Sequence, residues 1–446
     1  MKLKELKQII LKGGDKKTMK TKIKQEKGIT LIALVVTIVV LLILAGVSVN
    51  ALFGNSGIIE KTKDAQNKMD QATQNDLDSI NELNNWIDGK INGTTGGNTT
   101  GGDDNPSTTT TKISTLVGTV VDKNTKAEDA YGNKITIPKG FKILEHNPTS
   151  STGAVTYNYT NSEETGEHIP AVQDGIVIED KDGNQFVWVP VGTIKNKDNT
   201  TSTITLGRYE FDSSTGALKS TTPVQVASVE NCTQTVTIRG DFQELSTSRI
   251  SSSSSENTTA RNLAEFISTT LANGGYYIAR FEASKNTTTN KVESKYNQTV
   301  LENITQPDAA KLAREMYGEV KENNELVYAS DLVNSYAWDT AIIFIQTYSG
   351  KTDYASHNES KTTKAFTATG KNNDKYCNIW DMSGNASEWT TEYSTHSGGS
   401  YFGPCVCRGG CYYADDCGTG FYASDRDFYT TGSDNPNGLR PLLYVK

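Results

Sequence analysis

The chain has 446 residues, enough for more than one domain, and a formal net charge of -8 at pH 7. An acidic chain without a basic aromatic cluster is a poor candidate for a nucleic-acid-binding protein. Its 4 histidines leave little scope for histidine-based metal or acid–base chemistry. Asn, Thr, Ser and Gly are abundant, which is typical of a secreted or surface protein.

The first 28 residues form a strongly basic leader. After it no residue from Ile29 to Val47 is charged, and at ~1.5 Å rise per residue such a helix crosses the hydrocarbon core of a membrane. The basic flank predicts a cytoplasmic leader and an extracellular remainder. A cleaved secretory signal is disfavoured because the apolar run is long and no A-x-A site ends it. Translation could start at Met1 or at Met19.

The stretch KGITLIALV resembles the class III signal of type IV prepilins, in which a peptidase cuts after the glycine. The resemblance implies cleavage between Gly28 and Ile29 and packing of the new N-terminal helix with pilin-like subunits. The family usually has Glu at the fifth mature position, where this chain has Ala33. This departure bears on polymerisation and not on membrane anchoring. An ordinary signal anchor is the alternative.

Apolar residues then recur at helical spacing from Ile58 to Ile87 and predict an amphipathic helix. Residues 29–90 are therefore expected to form a pilin-like transmembrane and amphipathic helix. Residues 91–112 are rich in Gly, Thr and Asn, which predicts a flexible linker. The composition then becomes globular, so residues 113–446 are expected to form a folded domain.

Short apolar runs in this domain alternate with turn residues. Strands are predicted in KITIPKGFKIL, DGIVIEDKDGNQFVWVPVG and TTPVQVASVENCTQTVTIRGDF. Helices are predicted in ARNLAEFISTTLANGG, which ends in a Gly-Gly C-cap, in QPDAAKLAREMYGE and in DLVNSYAWDTAIIFIQTYSG. Loops and short strands are expected from Gly370 onward. Because βαβ alternation is missing, the predicted fold class is α+β.

Several blocks occur in an order that resembles the formylglycine-generating enzyme/sulfatase-modifying factor family: GNQFVWVPV, GGYYIARFEAS, NITQPDAAKLAREMYG, LVNSYAWDTAIIF, YCNIWDMSGNASEWTTE, RGG and GLR. The resemblance covers roughly residues 135–446 and implies a variant of the C-type lectin fold. Trp380 and Trp389 are expected to fill a loop-rich core. Arg408 and Arg440 are expected to pair with buried carboxylates or carbonyls, a structural role.

Active members of this family are copper-dependent oxidases that use two cysteines downstream of the RGG element. Counted from Gly410, these positions are Ala414 and Thr419; counted from the GGS stretch, they are Gly403 and Arg408. Neither register supplies a cysteine, and a copper–thiolate site does not tolerate displaced ligands. We therefore expect no catalytic residues. A formylglycine-generating-type oxidase or a degenerate relative is the alternative.

The family also includes members that hold calcium with backbone oxygens and a glutamate at a GNxxE turn. The matching carboxylate is Glu388, with the carbonyls of Ser383, Gly384 and Ala386 nearby. Calcium binding at Glu388 and a plain hydrogen bond from Glu388 to the turn are both open alternatives. No other cofactor is expected.

The C-terminal segment has a restricted set of residues. No Lys, Glu, Gln, Met or Trp occurs from Tyr393 to Val445, and these types cannot be reached from an AAC or AAT codon when only its adenines change. Residues 405–437 contain only reachable types. The pattern resembles the variable region of diversity-generating retroelement target proteins, in which mutagenesis rewrites the ligand-binding face of a C-type lectin fold. A loop-rich C-terminus that lacks these types by chance is the alternative.

Tyr and Phe provide large, rigid contact area and Asp and Arg provide charge, as in antibody loops. We expect one or two of the aromatic residues to be buried in the core. The implied function is a surface-displayed, non-catalytic binding protein for an extracellular protein or glycan, with a structural minor pilin as a second alternative. The predicted contact residues are Tyr412, Tyr413, Asp415, Asp416, Phe421, Tyr422, Asp425, Arg426, Asp427, Phe428 and Tyr429.

Four of the 6 cysteines lie within residues 405–417. Their C-x-C-x3-C-x5-C spacing lacks paired C-x2-C elements, so a zinc site is not expected. Outside the cell disulfides are permitted, and Cys411 with Cys417, or Cys405 or Cys407 with either, could close a loop. The other two cysteines are either buried thiols or a pair across the domain.

Overall fold

The computed structural model describes residues 110–144, 171–252, 256–358, 366–396, 403–412, 422–431 and 437–446. They all belong to a unit that begins inside the predicted linker, at Ser107. The predicted leader, transmembrane helix and amphipathic helix lie outside the described residues, as does the predicted cleavage between Gly28 and Ile29. Within the described ranges no helix combines the length and the apolar character needed to cross a membrane.

The described residues form four α-helices: α1 (Ile113–Leu116), α2 (Leu263–Asn273), α3 (Gln306–Tyr317) and α4 (Ser335–Tyr348). The three longer helices are those that the sequence predicts. Each begins after a side chain that accepts a backbone N–H of the first turn; these caps are Asn262, Thr305 and Asn334. Helix α2 ends at Gly274 in the left-handed conformation (φ 73°), which confirms the predicted Gly-Gly C-cap.

Short β-strands make up the rest of the regular structure, with 3₁₀ turns at Val172–Asp174, Asn231–Thr233 and Tyr354–Ser356. The strands, in chain order, are β1 (Thr125–Glu128), β2 (Lys134–Ile137), β3 (Lys142–Ile143), β4 (Val177–Glu179), β5 (Gln185–Pro190), β6 (Gly192–Lys195), β7 (Thr201–Ile204), β8 (Gly207–Arg208), β9 (Gln225–Val226), β10 (Phe242–Gln243), β11 (Gly275–Ala279), β12 (Ser284–Lys285), β13 (Val292–Glu293), β14 (Glu319–Glu322), β15 (Glu325–Leu332), β16 (Lys375–Tyr376), β17 (Ile379–Trp380), β18 (Ser387–Ser394), β19 (Cys405–Arg408), β20 (Asp427–Tyr429), β21 (Asn437–Leu439) and β22 (Pro441–Val445).

A seven-stranded antiparallel sheet forms the main layer, in the order β14-β15-β22-β11-β5-β4-β3. Its central strands are buried along their whole length, as expected of strands covered on both faces. The sheet curls: the ring of Phe141, directly before edge strand β3, lies 5.8 Å from that of Tyr328 in β15, near the opposite edge. Both rings also contact Tyr317 at the end of α3.

A smaller sheet carries the C-terminal segment. Its strands run β10-β18-β19-β20, all antiparallel, and β21 pairs in parallel with β18. Strand β22 then continues directly into the large sheet. The chain end is therefore shared between the two sheets, which fixes the C-terminal segment at both of its ends.

Three tryptophans fill the common core: Trp188, Trp338 and Trp389 are fully buried. The Trp389 indole N–H donates to the carbonyl of Ile304 at 2.8 Å, so its polar atom is satisfied. This agrees with the core role predicted for Trp389. Trp380, for which the same role is predicted, is only half-buried and lies beside Phe281 with ring centroids 6.3 Å apart.

One strand prediction is largely wrong. Of residues 221–242, only β9 and the first residue of β10 are strands. A half-buried strand needs a covered apolar face, but Val224, Val226 and Val229 are 40–48% exposed. The alternating valines of residues 221–242 therefore predict a strand that does not form, because no other described part of the fold covers these side chains.

Candidate ligand-binding surface

The C-terminal segment begins with a buried strand. Strand β19 pairs with β18 in a register that places Arg408 opposite Glu388 and Cys407 opposite Trp389. Strand β20 then pairs with β19, with Phe428 opposite Val406. All four residues of β19 are buried, whereas all three of β20 are half-buried. Strand β20 is thus the partly exposed margin of the segment.

Gly403, just before β19, lets the chain pass close to Thr430, just after β20. A Cβ added to Gly403 would lie 2.5 Å from the backbone of Thr430, nearer than any side chain permits. Gly409 in the RGG element has φ 87°, and its position against Trp338 leaves little room for a side chain. These glycines set the path of the segment over the core.

A buried ionic cluster anchors the segment. It contains Arg208, Arg408 and Arg426 around the carboxylates of Asp339 and Glu392, and every one of these side chains is at most 2% exposed. The members lie far apart in sequence but meet between α4 and the small sheet.

The distances show direct pairing. Arg408 and Arg426 each place an Nη2 atom 2.5 Å from one oxygen of Asp339. Glu392 lies 2.7 Å from Arg208 and 3.0 Å from Arg426. Burial acts to raise the pKa of Glu392, but the three guanidinium groups outweigh it and lower the pKa to about 2. Glu392 is therefore ionised at any physiological pH.

The prediction that Arg426 belongs to an exposed contact surface is wrong. Its guanidinium is buried and bonded to Asp339 and Glu392, so it fixes the segment to the core. Arg408 makes the buried carboxylate contacts that the sequence predicts, and its Nε also donates to the carbonyl of Asp425. Both arginines position the segment from within.

Arg440 forms a second anchor, again with the predicted type of partner. It donates to the carbonyls of Ala279, Trp380 and Asp381 and lies 2.6 Å from Glu388. Burial is the main cause that raises the pKa of Glu388 to about 7, and Arg440 opposes it.

The Glu388 carboxylate, the candidate calcium ligand, has a cationic partner in the fold. Oε1 of the carboxylate that would coordinate the ion is paired with the guanidinium of Arg440. In the part of the chain that the structure describes, no cluster of three or more His, Cys, Asp or Glu side chains is arranged to hold a metal. The carboxylates of Glu282 and Asp381 also act on this site and offset the charge of Arg440, so calcium binding at Glu388 stays a prediction.

Two of the predicted aromatic contact residues, Phe428 and Tyr429, are half-buried and have one side against the scaffold. Phe428 lies against Phe242 (5.7 Å between ring centroids) and His396 (4.8 Å). Tyr429 lies edge-on to Trp389 at 6.4 Å, and its hydroxyl contacts Asp427. Asp427, Phe428 and Tyr429, the three residues of β20, are thus all partly exposed.

Tyr412 and Tyr422 are also half-buried, and the ring centroid of Tyr412 lies 4.2 Å from that of Phe366. Asp425 is half-buried; burial and the neighbouring Asp427 raise its pKa to about 6. The remaining predicted contact residues, Tyr413, Asp415, Asp416 and Phe421, lie outside the described residues.

For Cys232 and Cys377 the sequence left two possibilities, buried thiols or a disulfide across the domain. Both are free thiols in the structure. Cys405 and Cys407 are also free and are buried. Burial raises the pKa of Cys405 to about 12 and that of Cys407 further. These thiols are protonated at neutral pH and so are poor nucleophiles. Cys417 lies outside the described residues, which leaves a bond between Cys411 and Cys417 a prediction.

Sequence reasoning missed Arg208, Asp339 and Glu392. Two signals point toward them. The chain has nine arginines, and five are buried, including Arg280. In β18, Glu388 and Glu392 lie on the same face as Thr390, which indicates a strand that buries polar side chains on one side.

Two solved structures resemble the chain. "Crystal Structure of CarF" shares 15% sequence identity at a TM-score of 0.26 and covers 39% of this chain and 87% of that chain. "Treponema denticola variable protein 1" shares 13% identity at a TM-score of 0.23 and covers 39% of this chain and 85% of that chain. Scores this low carry no argument about this chain. No curated protein matches it.

The family comparison is decisive for the domain. The model described as "Sulfatase-modifying factor enzyme 1-like domain" matches residues 178–442, which is more than half of the chain. The match runs from β4 into β22 and so includes the small sheet, the large sheet except for β3, and both arginine anchors. The chain belongs to the formylglycine-generating enzyme/sulfatase-modifying factor family, with its sheet-rich, C-type-lectin-like domain.

Proposed function

We propose that the chain is a non-catalytic binding protein whose segment 405–437 presents a diversified ligand-contact surface. The observation that carries the proposal is the residue set of that segment. Between Tyr393 and Val445 there is no Lys, Glu, Gln, Met or Trp, although lysine makes up most of the 44 basic residues of the chain. Mutagenesis restricted to adenines produces this set.

The scaffold supports the proposal because its anchors lie mainly outside the segment. Asp339 in α4 and Glu392 in β18 hold Arg408 and Arg426. The segment therefore needs few invariant residues of its own. Half-exposed positions can change while the path of the backbone stays fixed, which is the requirement for a diversified surface.

The contact surface that we propose combines aromatic residues on a rigid base with nearby acids. Half-burial against the scaffold reduces the side-chain entropy that binding would cost. Arg426 is removed from the predicted set. The remaining proposed contact residues are Tyr412, Tyr413, Asp415, Asp416, Phe421, Tyr422, Asp425, Asp427, Phe428 and Tyr429.

The neighbouring DNA tests diversification. A near-copy of the sequence that encodes residues 405–437, differing at adenines and lying beside a reverse transcriptase gene, is the expected finding. A near-copy whose differences fall evenly on all four bases would contradict adenine-directed mutagenesis.

The oxidase alternative is disfavoured because neither register places a cysteine at the catalytic positions, which are Ala414 and Thr419 or Gly403 and Arg408. Incubation of the protein with copper and a sulfatase-type cysteine peptide is expected to give no formylglycine. Turnover that Cys411→Ser abolishes would overturn the non-catalytic assignment.

Display at the cell surface is a separate part of the proposal and depends on the N-terminal apolar segment. Protease added to intact cells is expected to cut the linker 91–112 and release the domain. A domain that is cut only after lysis would show that it faces the cytoplasm. If the domain is displayed outside the cell, its ligand is an extracellular protein or glycan.

A further inference from the structure

A second concave site lies within residues 140–328. A cavity of about 650 Å³ opens between the β4–β5 turn, the β12–β13 hairpin and the end of α3. Its volume falls in the range of small-molecule sites, roughly 300–1,000 Å³. None of its lining residues belongs to segment 405–437, so this site is independent of the proposed contact surface.

The floor of the cavity is aromatic and rigid. Tyr317 and Tyr328 lie edge-on with ring centroids 5.9 Å apart, and Phe141 packs against both. The Tyr317 hydroxyl donates to Asp180 at 2.7 Å. Asp180 also accepts backbone N–H groups of its own turn and the side-chain amide of Asn184. With its acceptors engaged, Asp180 stiffens the floor.

One hydroxyl of the floor remains available. No hydrogen bond of the Tyr328 phenol occurs among the described residues, and its oxygen is not one of the enclosed, unsatisfied polar atoms, which leaves it open to a ligand or to water. Burial, followed by the charge of Asp180, raises the pKa of Tyr328, so this phenol is neutral and can both donate and accept. A hydroxylated ligand placed on the floor would satisfy it.

The mouth of the cavity carries three lysines from two separate turns. Lys181 and Lys295 each have a carboxylate of their own, Asp182 at 2.7 Å and Glu293 at 2.6 Å. Lys291, at the end of the β12–β13 hairpin, has no ion-pair partner among the described residues. Lys291 is therefore the one lysine of the mouth without a close carboxylate among the described residues, although the lining as a whole balances three lysines with Asp180, Asp182 and Glu293.

We propose that this cavity binds a small acidic saccharide, that is, a hydroxylated ring bearing one carboxylate. The ring lies on the Tyr317 and Tyr328 floor, where its C–H groups contact the faces of the aromatic rings and a hydroxyl bonds to the Tyr328 phenol. The carboxylate pairs with Lys291. A neutral sugar lacks the group that Lys291 binds, and a simple carboxylate lacks the ring that fills the floor.

The test uses the full chain, purified in detergent, and titrations with glucuronate, glucose and acetate followed by ligand-observed NMR. Glucuronate is expected to saturate, with glucose and acetate at least ~10-fold weaker. Lys291→Met should weaken glucuronate ~10-fold and Tyr328→Phe ~3- to 10-fold. Lys126→Met, at an exposed lysine of β1 with no ion pair in the described residues, is the matched control and should leave affinity unchanged.

Three results would overturn the proposal: no saturable glucuronate binding, equal affinity for acetate or glucose, or full affinity in Lys291→Met. Misfolding does not confuse these outcomes. Lys291 is exposed, and removal of the Tyr328 hydroxyl leaves no partner unsatisfied, so circular dichroism of both variants should match the parent chain.

Discussion

The two sheets of the domain are stabilised in different ways. In the large sheet the central strands read QFVWVP, GYYIA and PLLYV, and their apolar side chains are fully buried on both faces. In the small sheet β18 reads SEWTTEYS and buries Glu388 and Glu392 beside Trp389. The large sheet depends on apolar area, and the small sheet depends on specific ion pairs.

This difference bears on the proposed diversification of the C-terminal segment. Apolar packing involves many neighbours at once, so an exchange in the large sheet would alter several contacts. Ion pairs concentrate the restraint in a few side chains. The segment can then vary wherever it does not contact Asp339 or Glu392. The comparison predicts which positions tolerate exchange.

The largest effect is expected for Glu392→Gln. It removes the carboxylate that pairs with Arg208 and leaves Asp339 to pair with Arg408 and Arg426, so it should lower the free energy of unfolding by ~3–5 kcal/mol. Urea denaturation measures the loss. Glu210→Gln is the control, because it breaks a partly exposed pair with Lys219 and should cost less than ~1 kcal/mol. Equal losses in both variants would mean that the buried cluster does not hold the small sheet.

A pH dependence comes next. Glu244 is buried beside Thr391 and Ser335, and burial raises its pKa from 4.5 to about 7. Because the folded pKa is above the unfolded one, the stabilisation that Glu244 contributes is complete below pH 4.5 and is lost as pH rises through 7, by ~3 kcal/mol. Glu392 has the opposite sign: its lowered pKa gives stability above pH 4.5 that is lost as pH falls toward 2.

Urea midpoints at pH 5 and pH 8 test the Glu244 effect. The parent chain should be more stable at pH 5, and Glu244→Gln should reduce the difference, since an amide does not titrate. Glu325→Gln changes an exposed glutamate and should leave the difference as it is in the parent. Glu388 and Asp425, with pKa values raised to about 7 and about 6, titrate in the same range, so part of the difference should remain. An undiminished difference in Glu244→Gln would contradict the assignment to Glu244.

A smaller effect is expected for Phe428→Ala. The ring is half-buried against Ile238, Phe242 and Val406, so its loss should cost ~1–2 kcal/mol. Phe428→Leu keeps much of the apolar volume and should recover most of it. If both substitutions were neutral, Phe428 would contribute only to the ligand-contact side of the surface.

The smallest effect on stability, and the largest on binding, is expected for Tyr412→Ala and Tyr422→Ala. Each should change the free energy of unfolding by less than ~1 kcal/mol and weaken a ligand selected on this surface at least ~10-fold. Thermal melts and surface plasmon resonance measure the two effects. Lys126→Met serves as the control. Unchanged binding in both tyrosine variants would favour the minor-pilin alternative.

Local patterns predicted much of the scaffold. The three longer helices begin at Asn262, Thr305 and Asn334, each of which caps its own helix. Capping and apolar spacing act within a few residues, so the sequence displays them directly. The valines of residues 221–242 show the limit, because alternation predicts a strand only where another layer covers it.

The family resemblance, the longer helices, the apolar strands of the large sheet and the restricted residue set of the C-terminal segment can all be read from the amino-acid order. Tertiary structure alone decided that Arg426 faces inward and that Glu388 pairs with Arg440. Arg208 and Glu392 are 184 residues apart, and no local pattern specifies such a pair. Whether a charged side chain contacts a ligand or an internal counter-ion depends on which distant strand the fold places beside it.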